Sequence, residues 1–342
     1  MKKNLSKIAQ FAFFLGLGFF LVWWSLQGIT PEARQNIITT FKNGQYSWLA
    51  LSVVFAILSN ISRALRWQML LEAAVKRPNL LNTFLAVTVG YLANLAFPRL
   101  GEVARCGSLS KYEGIPPLTA FGTVITERVV DVLGLLVMVL LLIVTQFQVI
   151  GTYFNEKIGQ PLLQKIIHLT NNWQSVLLLV VGGFVLLGIV WWASKKMTHS
   201  SLYQKVRHFS LSIADGIRSI QKVRSPWQFL AHTAFIWCMY FLMIYVCFFT
   251  IELTSHLGLG AALAVLVFGS FGMVATQGGM GAYQLIVAGL LTIYGIQYEW
   301  GLGFSWLVWG VQFGMMLIGG FLALLAFPLV NRGKKMSDEG LV

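Results

Sequence analysis

The chain has 342 residues, of which 57% are hydrophobic and 11% are charged. A soluble domain carries about 25% charged residues, so this composition excludes a soluble fold and indicates an integral membrane protein. The formal net charge is +13, but the basic residues cluster between apolar segments, which is typical of cytoplasmic loops and not of nucleic-acid binding. The cysteine positions indicate neither a disulfide framework nor a metal site.

The N-terminal third predicts two full spans. An uncharged segment over residues 8–26 follows three lysines and lacks a cleavage site, so we expect an uncleaved first helix. A second span is expected from Ser47 to about Trp67. Arg63 and Arg66 lie three residues apart and therefore share one face near its cytoplasmic end. They are either positive-inside anchors or contacts for a lipid headgroup.

Residues 80–115 predict a hairpin that enters the membrane and returns to the same side. A complete crossing would place the basic segment 195–224 outside, whereas a re-entrant hairpin keeps all the basic clusters and both termini in the cytoplasm. Such backbone is tolerated at membrane depth only where protein or a water-filled cavity surrounds it. The candidate binding residues of this hairpin are Asn94, Arg99, Glu102 and Arg105.

The next span, expected over residues 117–147, carries three charges. Glu127 and Asp131 are four residues apart, and Arg128 and Asp131 are three apart, so the three side chains lie on neighbouring faces of one helix. A charge at the centre of a bilayer costs at least about 2.5–3.5 kcal/mol, so such groups are normally paired and functional. The trio is either the facing wall of a binding site or a structural ion network.

The following segments predict a return span and a surface helix. An external loop is expected over residues 148–173, and residues 174–193 return to the inside. Apolar residues recur every three or four positions over residues 200–224, with basic residues on the other face, which predicts an amphipathic helix on the cytoplasmic interface. A further span is expected over residues 227–251.

Residues 257–295 predict a second hairpin, which enters from the outside. Its tip contains Gly278, Gly279, Gly281, Tyr283 and Gln284. Two hairpins of opposite entry suggest an inverted repeat with a site near the midplane, although glycines also serve close helix packing. The tip lacks the lysine and Ser/Thr of a phosphate-binding loop, so ATP binding is not expected. The last span, residues 302–327, contains a Gly310–Gly314 spacing that predicts helix packing within the chain.

Three blocks carry a family resemblance: Asn94 with Pro98–Arg105, Glu127–Asp131, and Gly278–Gly281. In order and separation they resemble the flippase-like family named for the transmembrane region of lysylphosphatidylglycerol synthase, over about residues 7–329. The resemblance implies a bacterial or archaeal polytopic protein that moves a lipid or lipid-linked headgroup between leaflets. The family often has a proline before the glycine block and an acid after it, where this chain has Gln277 and Gln284. We expect no soluble aminoacyl-transfer domain.

Enzymatic readings find little support in the sequence. The motifs HExxH, GxSxG and CxxC are missing, and the five histidines show no ligand spacing, so no cofactor or metal is expected. A membrane-embedded transferase acting on a lipid-linked substrate, with Glu102 or Glu127 as base, is the alternative.

The sequence therefore predicts an all-α polytopic membrane protein with about six full spans and two re-entrant hairpins, forming one transmembrane domain over residues 1–342. We expect a lipid transporter of the bacterial cytoplasmic membrane whose partners are anionic membrane lipids. Arg99 and Arg105 should bind the headgroup phosphate, and Glu102 should pair with one of them when the site is empty. The candidate binding residues are Arg63, Arg66, Asn94, Arg99, Glu102, Arg105, Glu127, Arg128, Asp131, Gly278, Gly279, Gly281, Tyr283 and Gln284.

Overall fold

The computed structural model describes residues 44–97, 100–154 and 223–332, together with the single residues 38, 42, 160 and 164. These residues are helical and contain no strand, which confirms the predicted all-α class. The first predicted helix, Arg99, the span over residues 174–193 and nearly all of the amphipathic segment 200–224 lie outside the described residues. The α-helices of the described part are α1 (Ser47–Ala74), α2 (Leu80–Ala96), α3 (Leu100–Glu113), α4 (Pro117–Phe154), α5 (Pro226–Cys247), α6 (Leu259–Ala275), α7 (Ala282–Ile293) and α8 (Tyr298–Val330).

Four helices of the described part are long and apolar enough to cross a membrane: α1, α4, α5 and α8. They coincide with four of the spans predicted from the sequence. The remaining apolar helices, α2, α6 and α7, are shorter, and each belongs to one of the two predicted hairpin segments. The chain is therefore a multi-pass membrane protein.

Local sequence signals explain where several helices begin and end. The side chain of Asn79 accepts hydrogen bonds from the backbone N–H groups of the first turn of α2, which caps that helix. Phe97 is extended, as expected for a residue that precedes a proline, and α2 ends there. Pro226 opens α5, where its missing N–H removes no hydrogen bond. Gly281 precedes α7 with a φ of +77°, a conformation that glycine adopts without strain.

Contacts between backbone positions divide the chain into two compact units, residues 1–142 with 219–342 and residues 143–218. In the first unit, the pairs α5–α1, α1–α2, α2–α8, α8–α7, α7–α6 and α6–α5 form a closed circuit of packed helices, and α3 packs on α2. The described part of the second unit is mainly the end of α4, where Gln146 departs from helical geometry.

An apolar core lies in the first unit beside the α2–α3 pair. Its largest fully buried members are Trp67, Leu71, Leu109, Ile115 and Phe229. At one edge of this core, side-chain hydrogen bonds connect α2, α3 and the end of α8. The Asn82 side chain of α2 donates to Glu113 of α3, and Asn331, just after α8, donates to the Asn82 side-chain oxygen at 2.8 Å. These contacts fix α2 and α3 relative to the end of the last helix.

The described part of the chain shows no close packing at the Gly310–Gly314 spacing. A Cβ added at either glycine would meet no atom within 4 Å among the described residues. Close approach occurs elsewhere on α8. A Cβ at Gly301 would lie 3.2 Å from the Cα of Ala288, and one at Gly320 would overlap Leu92. Glycine spacing alone does not identify the packed face, because each helix presents several such faces.

Candidate functional site

Five charged side chains from three helices meet in the interior of the first unit. We call this group the ion cluster, and its members are Arg63 and Arg66 of α1, Arg105 of α3, and Glu127 and Asp131 of α4. Arg66 and Glu127 have no exposed surface, and only 3% of Arg105 is exposed. Charges buried to this degree are retained only when opposite charges and hydrogen bonds compensate for the lost hydration.

Glu127 lies at the centre of the ion cluster and joins α1 to α3. Its Oε1 atom is 2.7 Å from Nη1 of Arg63, and its Oε2 atom is 3.0 Å from Nη1 of Arg105. Asp131 binds both arginines of α1, with Oδ2 2.7 Å from Nη1 of Arg63 and Oδ1 2.5 Å from Nη2 of Arg66. One carboxylate therefore connects three helices, and the second fastens two of them.

Neutral side chains orient the arginines of the ion cluster. Arg63 donates to the Tyr240 hydroxyl at 3.0 Å, and Arg66 donates to the Thr233 hydroxyl at 3.2 Å; both acceptors are on α5. The Arg105 guanidinium stacks on the ring of Trp67, 4.7 Å from its centroid. An arginine held over an aromatic face gains cation–π attraction and loses access to water on that side.

The ion cluster carries more positive than negative charge. Three guanidinium groups, which stay protonated in proteins, face two carboxylates, and the difference is one positive charge when both carboxylates are ionised. The Nε and Nη2 atoms of Arg105 are buried and have no hydrogen-bond partner among the described residues. A buried donor without an acceptor costs about 1–3 kcal/mol, more when charged, so an anion placed at Arg105 would satisfy both charge and hydrogen bonding.

The remaining predicted charges form a more exposed pair at the edge. Arg128 lies 3.3 Å from Glu102 and 4.0 Å from Asp131, and 43% of its side chain is exposed. Of the two partners expected for Glu102, Arg105 is not one: Glu102 pairs with Arg128, and Arg105 pairs with Glu127. The other expected partner, Arg99, lies outside the described residues. Spacing within α3 could not reveal these pairs, because Arg105 points inward against Gly90, where a Cβ would lie 3.4 Å from the Cβ of Arg105.

The tips of the two predicted hairpins contact each other through side-chain hydrogen bonds. Gln277 donates to the carbonyl oxygens of Asn94 and Leu95, at 3.3 and 3.1 Å, and so caps the end of α2. The Asn94 side chain accepts from the N–H of Gly101 at 2.8 Å and caps the start of α3. The indole of Trp309 donates to the carbonyl of Gly278 at 2.8 Å. These hydrogen bonds satisfy four of the backbone groups at the helix breaks within the protein.

Tyr283 and Gln284 occupy the first turn of α7 and are buried. Both amide atoms of Gln284 and the Tyr283 hydroxyl have no hydrogen-bond partner among the described residues. A Cβ at Gly272 would lie 2.8 Å from the Cα of Tyr283, so part of the small-residue pattern here serves close packing of α6 on α7. Gly279 and Gly281 have positive φ values. The turn before α7 therefore uses glycine at these positions because its backbone conformation disfavours other residues.

Sequence reasoning missed the neutral partners of the ion cluster. Thr233 and Tyr240 are seven residues apart and therefore share a face of α5, a signal that points to a polar stripe in an otherwise apolar helix. The cap made by Gln277 left no sequence signal. Among the described residues, no group of three or more His, Cys, Asp or Glu side chains is placed to hold a metal ion.

The fold and this site define a class: a multi-pass helical membrane protein with a buried, net-positive ion cluster. Residues 8–320 match the family described as the lysylphosphatidylglycerol synthase TM region, and the chain belongs to this family, as the resemblance predicted. A UPF0104 membrane protein of Methanocaldococcus jannaschii is 33% identical over 99 residues, which cover 28% of this chain and 30% of that protein. The chain thus matches less than a third of that relative's length. No solved structure matches it.

Proposed function

We propose that the protein is a flippase-like lipid transporter that moves an anionic or lipid-linked headgroup between the leaflets of the bacterial cytoplasmic membrane. The observation that carries this proposal is the ion cluster, which places three arginines against two carboxylates in a multi-pass membrane protein. A phosphodiester brings one negative charge and several acceptor oxygens. It would neutralise the cluster and accept from the free N–H groups of Arg105.

The charged residues of the predicted site each have a place in this proposal. Arg105 binds the phosphate, and Glu127 holds the Arg105 guanidinium in position. Arg63, Arg66 and Asp131 set the charge of the surroundings. Glu102 and Arg128 form a partly exposed ion pair beside the ion cluster. The headgroup would pass this pair before it reaches Arg105. Arg99 is proposed to meet the headgroup from the turn between α2 and α3.

The lengths of the hairpin helices support the proposed re-entrant arrangement. α2 has 17 residues and α7 has 12. At 1.5 Å per residue they extend about 26 and about 18 Å, which is less than the roughly 30 Å of a hydrocarbon core. Broken helices of this kind bring polar backbone to membrane depth, where the caps from Gln277 and Asn94 satisfy it. Both termini are proposed to be cytoplasmic, with the two hairpins forming an inverted repeat.

The experiment that tests this function follows one lipid across a vesicle bilayer. Purified protein is reconstituted with phosphatidylglycerol that carries a fluorophore on one acyl chain, and dithionite quenching reports how much lipid has reached the outer leaflet. We expect faster equilibration than in protein-free vesicles, with the mass of the lipid unchanged. Protein that leaves equilibration at the protein-free rate would contradict the proposal. A covalently altered lipid whose formation depends on Glu102 or Glu127 would instead identify a transferase.

A further inference from the structure

An apolar groove of about 610 Å³ lies between α1, α2 and α8. Its walls are mainly aliphatic and methionine side chains, and several of them, such as Ile57, Ile318 and Leu322, are exposed. Its polar lining residues are Asn60, Thr88 and Tyr91. An exposed apolar groove in a membrane protein faces hydrocarbon, so its natural occupant is a hydrocarbon chain.

The shape of the groove depends on two glycines of α8. A Cβ at Gly314 would meet no atom within 4 Å among the described residues, and one at Gly319 would meet only a methyl group of Thr88, at 3.6 Å. Larger side chains at these positions would enter the groove, since both residues line it. The open space at Gly314 is therefore volume available to a ligand.

One buried polar atom of the groove has no hydrogen-bond partner among the described residues. The hydroxyl oxygen of Tyr91 is buried and makes no hydrogen bond to any described residue. A buried hydroxyl without a partner is unfavourable, and an acceptor carried by a ligand would remove that cost. The groove thus combines a long apolar surface with a buried free donor, which matches the chemistry of a fatty acyl ester.

The groove lies next to the ion cluster, although no residue of the cluster lines it. Asn60 lies one helical turn before Arg63 on α1, and Tyr91 is an electrostatic neighbour of Arg63. Gly90, the residue before Tyr91, packs directly on Arg105. A lipid whose phosphate lies at Arg105 would therefore have its ester and the start of its chain beside Tyr91.

We infer that the groove between α1, α2 and α8 binds one ester-linked acyl chain of the transported phospholipid, with the ester carbonyl accepting from the Tyr91 hydroxyl. This inference rests on the proposed function, because the chain is placed by a headgroup at the ion cluster. The transported lipid is then recognised at two points, by charge at Arg105 and by an ester-bearing chain in the groove.

The test uses photocrosslinking with a matched pair of variants. Phosphatidylglycerol with a diazirine in one acyl chain is added to the reconstituted protein in phosphatidylcholine vesicles, and crosslinked peptides are mapped by mass spectrometry. We expect adducts enriched on the peptides containing Ile57 and Met315. Gly314→Leu should reduce these adducts at least about fivefold, because the leucine fills the groove. Gly310→Leu is the control: it lies one turn away on α8, has equal free space and does not line the groove.

A second variant keeps the inference testable if Gly314→Leu fails to fold. Tyr91→Phe removes one hydroxyl. The concentration of labelled lipid at which labelling is half-saturated should rise by about two- to tenfold, the loss of affinity expected for one hydrogen bond. Labelling spread evenly over exposed apolar residues, and unchanged by both variants, would overturn the acyl-chain site. This failure is distinct from failure of the proposed function, which is read from lipid equilibration across the bilayer with the wild-type protein.

Discussion

Replacing Glu127 with glutamine removes the central carboxylate of the ion cluster while preserving its size. Glu127 lies within 2.7 Å of Arg63, 3.0 Å of Arg105 and 3.5 Å of Arg66. After the substitution, Asp131 is the one remaining carboxylate of the cluster, facing three guanidinium groups. The net charge of the ion cluster therefore rises from +1 to +2, calculated as three minus two and then three minus one.

The expected loss of stability follows from the burial of these groups. Removing one partner of a buried ion pair costs about 3–5 kcal/mol, because the other charge stays buried without compensation. Glu127 has no exposed surface, so water cannot screen the change. Glu102→Gln is the matched control, since its partner Arg128 is 43% exposed. Pairs of that kind contribute about 0–1 kcal/mol.

The free energy of unfolding is measured for wild type, Glu127→Gln and Glu102→Gln in the same detergent, with tryptophan fluorescence as the signal. We expect a loss of about 3–5 kcal/mol for Glu127→Gln and at most about 1 kcal/mol for Glu102→Gln. Equal losses in the two variants would refute the reasoning, because they would mean that Glu127 is not the buried centre of the ion pairs.

Three further predictions concern the hairpins and the topology. Gln277→Ala removes the cap on α2 and should cost about 0.5–1.5 kcal/mol, with faster hydrogen exchange at the tip, whereas exposed Gln297→Ala should change neither. Gly101→Ala should destabilise the protein, because the added Cβ would overlap the backbone of α2. Gly107→Ala, in open space on the same helix, should be neutral or stabilising, and the thermal unfolding temperatures of the two variants distinguish these outcomes. In a variant with the native cysteines removed, Ser200→Cys should react with an impermeant thiol reagent only from the cytoplasmic side, and labelling from outside would contradict the proposed re-entrant hairpin.

Hydropathy was sufficient to predict the four long helices of the described part. The span starting at Ser47 begins there in the structure, and the prolines at 117 and 226 mark the starts of α4 and α5. These features are local, since each depends on a few neighbouring residues. Helix spacing also placed Glu127 and Asp131 on one face of α4, which the ion pairs with Arg63 confirm.

The partners of each charge could not be predicted, because they depend on how separate helices pack. Arg63 has Glu127 as a partner although 64 residues separate them, and no spacing rule connects them. Glu102 and Arg105 share one face of α3, yet Arg105 turns inward because Gly90 leaves room for it. Gln277 caps α2 through its side-chain amide, a contact with a segment 182 residues earlier in the chain that no local pattern predicts.

The central claim is that Arg105 binds the anionic headgroup during transport, and one measurement tests it directly. The rate of equilibration of labelled phosphatidylglycerol is compared with that of labelled phosphatidylcholine, in wild type, Arg105→Gln and Lys111→Gln. Lys111 is exposed on the same helix, so its substitution removes the same charge away from the ion cluster. We predict that Arg105→Gln, at equal folded amounts, loses the transport of phosphatidylglycerol while Lys111→Gln keeps it. Wild-type transport by folded Arg105→Gln would contradict the account.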